Sequence, residues 1–129
     1  MSEQRIPETP GTNAENASFW EAANQKRFLI GGCTACGEPH FYPRSICPHC
    51  FSDATEWRES KGLGTIYSFS IMRRVPVPYA IAYVTLDEGP VIMTNIVDCD
   101  LDKIAIDQRV SVVFHEGDKG GAIPVFTCI

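Results

Sequence analysis

Cys33 and Cys36 in CTACG, with Cys47 and Cys50 in CPHC, form a C-x2-C-x10-C-x2-C array that limits what this chain can fold into more than any other feature does. Two knuckles at this spacing offer four thiolates to one tetrahedral ion, and a four-sulfur site has no open coordination position. Such a metal organises a fold and does not activate water. Zn²⁺ is expected ahead of iron, as the usual occupant of S₄ sites. Redox use of a single CxxC would place it at the start of a helix in a βαβ setting, and neither knuckle has that context. His49 lies within the second knuckle as an alternative ligand, whereas His40 and His115 stand alone as surface or hydrogen-bonded structural residues.

A chain of 129 residues has room for one ordinary domain, or for a metal-stapled module beside a compact second one, and the cysteine array favours the latter. With 44% hydrophobic and 21% charged residues, the composition is globular and sufficient for a core. No run approaches the ~20 apolar residues that cross a bilayer. The N-terminal MSEQRIPETPGTN lacks the basic and apolar regions of a signal peptide, so a cytoplasmic protein with no membrane partner is expected. Reducing cytosol keeps thiols free for metal. The formal charge is −5, and one Zn²⁺ on four thiolates adds −4 and +2 to give −7. That sign, with eleven scattered Lys and Arg, argues against a nucleic-acid partner. Cys99 and Cys128 fall outside the array and read as small buried hydrophobes at strand ends, the alternative being reactive thiols.

Residues 1–27 divide into a flexible leader over 1–12, with Pro7, Pro10 and Gly11, and a helix within NAENASFWEAANQKR. Ser18 and Glu21 have capping-box spacing, although Asn13 or Asn16 could equally cap. Trp20, Ala23 and Arg27 share one side with Phe19 beside them, which suits packing on the chain's own domain or docking on a partner. Residues 28–58 read as a zinc ribbon. FLIGGC forms a strand, CTACG turns with Gly37 at a positive φ, and EPHFYP returns antiparallel until Pro43 ends the hairpin.

Residues 59–129 have a different texture. Tyr67, Phe69 and Ile71 alternate as a strand with one buried face, and AIAYVTL over 80–86 alternates as well. DEGP turns that strand into VIMTNIV over 91–97. Val110–His115 and Ile123–Cys128, joined by GDKGG, complete five strands with no helical repeat between them. A closed barrel of OB type is the economical arrangement, because closure removes exposed edges. The link DCDLDKIAIDQR has room for a turn or two, with Leu101, Ile104 and Ile106 plugging the barrel's end. The expected fold is therefore mainly β: an N-terminal helix, a zinc ribbon, then a five-stranded OB-fold barrel.

No GxSxG, HExxH or phosphate-cradling glycine loop is present, so no catalytic residues are assigned. The ordered set of FWEAA, CTACGEPHFYPRSICPHC, GLGTIYSFS, AIAYVTLDEGPVIMTNIV and VSVVFHE with IPVFTC resembles the DUF35 family over residues 16–129. These are small proteins that join a rubredoxin-like zinc ribbon to an OB fold. The resemblance implies a non-catalytic partner of a thiolase-like or related acyl-CoA enzyme, with Cys33, Cys36, Cys47 and Cys50 as ligands of a structural zinc. It also implies an acyl-CoA ligand. Phosphates of such a ligand would need cationic donors, for which Arg73 and Arg74 in the loop after the first barrel strand are candidates and Arg44 in the ribbon a lesser one. All three also read as ordinary solvated charges. The competing class is an OB-fold and zinc-ribbon module binding nucleic acid, with Tyr67, Phe69 and Tyr83 as stacking residues.

Overall fold

The computed structural model describes residues 6–129. Its elements run α1 (Ala17–Asn24), β1 (Leu29–Cys33), β2 (Pro39–His40), β3 (Thr55–Glu59), β4 (Leu63–Met72), β5 (Tyr79–Leu86) and β6 (Val91–Val97). A single 3₁₀ turn (Leu101–Lys103), β7 (Arg109–Glu116) and β8 (Ala122–Cys128) follow. β1 lies between β2 and β3 in a three-stranded antiparallel sheet, and β4 to β8 close into a barrel in the order β4-β5-β6-β8-β7. This is the mainly β architecture expected from the sequence. Among the described residues no helix is long and apolar enough to cross a membrane.

Helix α1 is short and alanine-rich, and Phe19, Ala22 and Ala23 make its buried stripe at i, i+3 and i+4. The capping box over Ser18 and Glu21 does not form. Asn16 takes the N-cap position without a side-chain cap bond. Just upstream, Asn13 Oδ1 accepts from the Glu15 and Asn16 amides, and Asn16 Oδ1 accepts from the Asn13 amide, so the two asparagines brace one another. The other end closes as a Schellman turn. Lys26 adopts φ 59°, and the amides of Lys26 and Arg27 donate to the carbonyls of Ala23 and Ala22 at 2.9 Å each. Arg27 lies beyond the helix and pairs with Glu59 at 2.8 Å.

The described part of the leader bonds to the turn between β7 and β8. The Asp118 amide donates to the Pro7 carbonyl at 2.9 Å, the Thr9 amide donates to Asp118 Oδ1 at 2.9 Å, and Thr9 Oγ1 donates to the Gly120 carbonyl at 3.1 Å. Residues 6–12 are thus clasped to the β7–β8 turn; residues 1–5 of the expected leader lie outside the described residues.

Barrel strands alternate as expected, with Ala80, Ala82, Val84 and Leu86 of β5 pointing inward. β4 departs from the simple pattern. Its pairing with β5 slips between Ile66 and Ser68, inserting Tyr67 as a bulge. One extra residue exchanges the faces: Gly64 and Ile66 point inward before it, Phe69 and Ile71 pack on the core after it, and Tyr67 is 69% exposed. Tyr67 therefore does not share a buried face with Phe69 and Ile71. At the barrel's end Ile104 is buried and Leu101 packs on the core, but Ile106 is 60% exposed, because the chain turns through Asp107 at φ 70°.

Phe28, between helix and ribbon, is the point where the parts meet. Its ring centroid lies 6.1 Å from Phe19 of α1, 5.9 Å from Phe41 beside β2 and 5.8 Å from Phe126 of β8. Ser60 braces the same joint. Its amide donates to the Phe28 carbonyl at 2.8 Å, its hydroxyl donates to Glu88 at 2.9 Å, and its oxygen accepts from the Gly62 amide at 3.0 Å. Phe126 is fully buried within both the barrel and this cluster. Truncating it removes packing from both sides at once, so Phe126→Ala is expected to lower stability by about 3–5 kcal/mol. Urea unfolding of the zinc-loaded chain, followed by circular dichroism, checks this; a loss below about 1 kcal/mol would show that the ring does not join the two units.

Candidate functional site

The ribbon is built from two knuckles of the same shape. In the first, the Gly37 amide donates to the Cys33 carbonyl at 2.8 Å, and Gly37 has φ 81°, as its place after Cys36 requires. In the second, the Phe51 amide donates to the Cys47 carbonyl at 3.0 Å, and Phe51 stands at the equivalent position with φ 64°. Phenylalanine is an unusual residue for left-handed backbone, and its ring is 79% exposed, so no burial of the ring offsets the conformation. The Thr34 amide donates to the Ala54 carbonyl at 2.9 Å and ties the knuckles together.

This pairing brings the four sulfurs within 4.8 Å of one another, with Cys33 to Cys50 at 3.6 Å and Cys36 to Cys47 at 3.7 Å. A tetrahedron with Zn–S bonds of about 2.3 Å has S···S edges of about 3.8 Å, so the donor set fits zinc. Charge makes the same point. Burial opposes the Cys47 thiolate, yet the amides of Cys50 and His49 outweigh it and bring the thiol down to about 6. At Cys50 the Ser52 amide favours the thiolate, but desolvation and the other three sulfurs prevail and push the thiol up to about 12. Four thiolates at this spacing would need a cation between them to be held together. Cys33 and Cys47 are buried, and Cys36 and Cys50 face the surface.

Neighbouring groups position the knuckles. Arg58 of β3 donates to the Cys33 carbonyl at 3.2 Å and the Gly37 carbonyl at 3.1 Å, with its Nε on Glu56 at 2.8 Å. His49 is not a sulfur substitute: its ring Nε2 stands 3.1 Å from the Pro39 carbonyl and its amide donates to Cys47 Sγ at 3.3 Å. His40 is buried against Gly31, where an added Cβ would collide with its ring. Burial, with His49, Arg44 and Arg58 adding to it, holds the His40 imidazole below its ordinary pKa. His115 stands 3.2 Å from Asp98.

The candidate arginines lie apart from the sulfurs. Arg73 and Arg74 occupy the loop between β4 and β5, and Arg73 is already paired with Asp102 at 2.8 Å. Arg44 follows β2 and lines a cavity of about 420 Å³ with Glu15, His40 and Trp57. The Ser45 amide and hydroxyl hold the Glu15 carboxyl below its usual range, with Arg44 adding to the effect. Sequence reasoning did not find the cleft of about 350 Å³ where helix, ribbon and barrel meet. Phe19, Trp20, Phe41, Met93 and Phe126 supply its apolar walls and Asn95 a polar one. The Trp20 indole N–H is buried and has no partner among the described residues. On the barrel face, Phe69, Tyr83 and Met93 line a smaller hollow of about 130 Å³. Neither cavity shows in the sequence, because each is walled by residues far apart in the chain.

Family models match along most of the chain. Residues 20–56 match the model described as "ChsH2, rubredoxin-like zinc ribbon domain", and residues 57–115 match "ChsH2, C-terminal OB-fold domain". A "DUF35 domain-containing scaffold protein" of Methanocaldococcus jannaschii is 36% identical over 78% of this chain and 80% of the relative. A "Probable enoyl-CoA hydratase alpha subunit" of Thermomonospora curvata is 37% identical over 91% of this chain. The chain spans only 38% of that relative's length. Among solved structures, a chain of "Ltp2-ChsH2(DUF35) aldolase" superposes with TM-score 0.83 at 36% identity, over 93% of this chain and 98% of the other.

Elemental analysis of protein purified without chelator is expected to find about one zinc per chain, and Cys47→Ser to abolish it. Arg58→Ala should keep the four sulfurs yet weaken zinc by about 10–100-fold in a competition titration, since the guanidinium fixes the backbone of the first knuckle. Unchanged affinity in Arg58→Ala would show that the knuckle holds its shape without β3.

Proposed function

The chain belongs to the DUF35 family of zinc-ribbon and OB-fold proteins, and from that premise we propose that it is a non-catalytic partner subunit of a thiolase-like or related acyl-CoA enzyme. In this reading Cys33, Cys36, Cys47 and Cys50 hold a structural zinc that shapes the ribbon. The ribbon and α1 form the docking side, and the barrel contributes to holding or channelling the acyl-CoA. The observation that carries the reading is the likeness, over nearly the full length of both chains, to the DUF35 chain of a structure named for an aldolase assembly. Three relatives named as scaffold proteins support the non-catalytic part.

The cleft at the joint suits this role in its chemistry. Apolar walls from Phe19, Phe41 and Phe126 would take an acyl or pantetheine chain, and the buried Trp20 N–H would donate to a carbonyl on it. Arg73 and Arg74 remain the candidate phosphate contacts, with Arg44 the lesser one. Binding through Arg73 would require it to leave Asp102, a small cost for a pair in which both side chains are largely in water.

Co-expression with the thiolase-like or hydratase-like enzyme encoded nearest to it is expected to yield a stable complex that binds a CoA ester. Trp20→Phe should weaken the ester about tenfold, as expected for one lost hydrogen bond of about 1.4 kcal/mol. Failure to capture any such enzyme, with no CoA ester bound by the chain alone or in mixtures, would sink the reading. Salt-sensitive retention of single-stranded DNA in its place would favour the nucleic-acid class.

A further inference from the structure

The barrel closes on its weakest ladder. β6 and β8 pair in parallel over Ile96 with Phe126 and Val97 with Thr127, and those two registers are all that the seam has. Just past it the chain leaves β6 through Asp98 at φ 57°, which turns Cys99 back over the end of β8. There Cys99 Sγ accepts from the Cys128 amide at 2.9 Å, donates to the Val97 carbonyl at 3.2 Å and lies 3.5 Å from Thr127 Oγ1. The two cysteines are free thiols and are half-buried, open enough for a small oxidant.

We propose that Cys99 and Cys128 are a peroxide-oxidisable dithiol whose disulfide pins the closing seam of the barrel. Neither residue belongs to the zinc array, so the site is separate from the ribbon's chemistry. An amide N–H···S contact of 2.9 Å sets Cys99 Sγ about 4 Å from the Cys128 Cα, close to the separation within a formed disulfide. Closing the bond requires the Cys128 side chain to turn its sulfur toward Cys99 Sγ.

The surroundings assign the roles. Cys99 Sγ lies against the Cys128 amide and the Thr127 hydroxyl, directly beside its partner, and serves as the attacking sulfur. Burial and the adjacent Cys99 sulfur push the Cys128 thiol up to about 12, so it waits as the neutral resolving thiol. In the first step the Cys99 thiolate attacks one oxygen of hydrogen peroxide. The O–O bond breaks, Cys99 becomes a sulfenic acid, and the departing hydroxide takes up the proton that Cys99 released to solvent on ionising and becomes water. The Cys128 sulfur then attacks the Cys99 sulfur. The S–O bond breaks, and the second hydroxide leaves as water with the Cys128 proton. Two thiols give up two electrons, and one peroxide is reduced to two waters.

The test uses the zinc-loaded chain, titrated with hydrogen peroxide, alkylated and digested, with zinc assayed in parallel. The expected product has lost about 2 Da, carries a cross-link between the peptides containing Cys99 and Cys128, and retains its zinc. In Cys128→Ser, Cys99 should be captured as sulfenic acid by dimedone, whereas in Cys99→Ser, Cys128 should stay fully alkylatable. Pinning the seam should raise Tm by about 5 °C, reversed by dithiothreitol. Full alkylation of both cysteines while the ribbon sulfurs oxidise first would overturn the proposal. A cross-link from either cysteine to the ribbon would do the same, and a disulfide with unchanged Tm would contradict the pinning of the seam.

Discussion

Phe28 packs against three different parts of the molecule, and their relative placement depends on that contact. Its ring meets Phe19 of the helix, Phe41 of the ribbon and Phe126 of the barrel within about the same distance, in a mixture of edge-to-face and tilted contacts. Such pairs contribute about 0.5–1.5 kcal/mol each beyond the area they bury. A three-stranded ribbon is too small to bury a core of its own. It therefore relies on metal at one end and on this aromatic cluster at the other. The metal end keeps the knuckles closed, and the aromatic end fixes where the ribbon sits on the barrel.

The same joint makes the cleft. Helix α1 covers one side of the cluster, and the face of β6 and β8 forms the floor, so the apolar cavity and the structural joint share walls. A partner that docked on helix or ribbon would touch the walls of the cavity directly. Ser60 and Glu88 add a polar brace across the joint, from the link into β4 to the β5–β6 turn.

Much of this was legible in the sequence where one physical rule dominated. Cysteine spacing announced the knuckles, and strict alternation placed β5, β6, β7 and β8 to within about a residue at each end. The failures occur where tertiary context overrode the local pattern. Tyr67 alternates with Phe69 and Ile71 in sequence, but a bulge removes it from their face. β3 has no signal in the sequence: TEWRE carries three charges and becomes a strand because β1 offers it an edge. Gly37 signalled its positive φ, whereas Phe51 in the matching position could not, because nothing in its chemistry favours that conformation. Ser60 and Glu88 left no trace, since a brace between residues 28 apart depends wholly on the fold.

The central claim is that ribbon and barrel are one cooperative unit joined through Phe28 and Phe126. Amide hydrogen exchange, with and without removal of zinc by chelator, tests it most directly. The account predicts that chelation exposes β1 and also lowers protection in β8 at Val125 and Phe126, as the aromatic cluster loosens from the ribbon side. Loss of protection confined to residues 28–58, with β8 exchanging at its zinc-loaded rate, would contradict it.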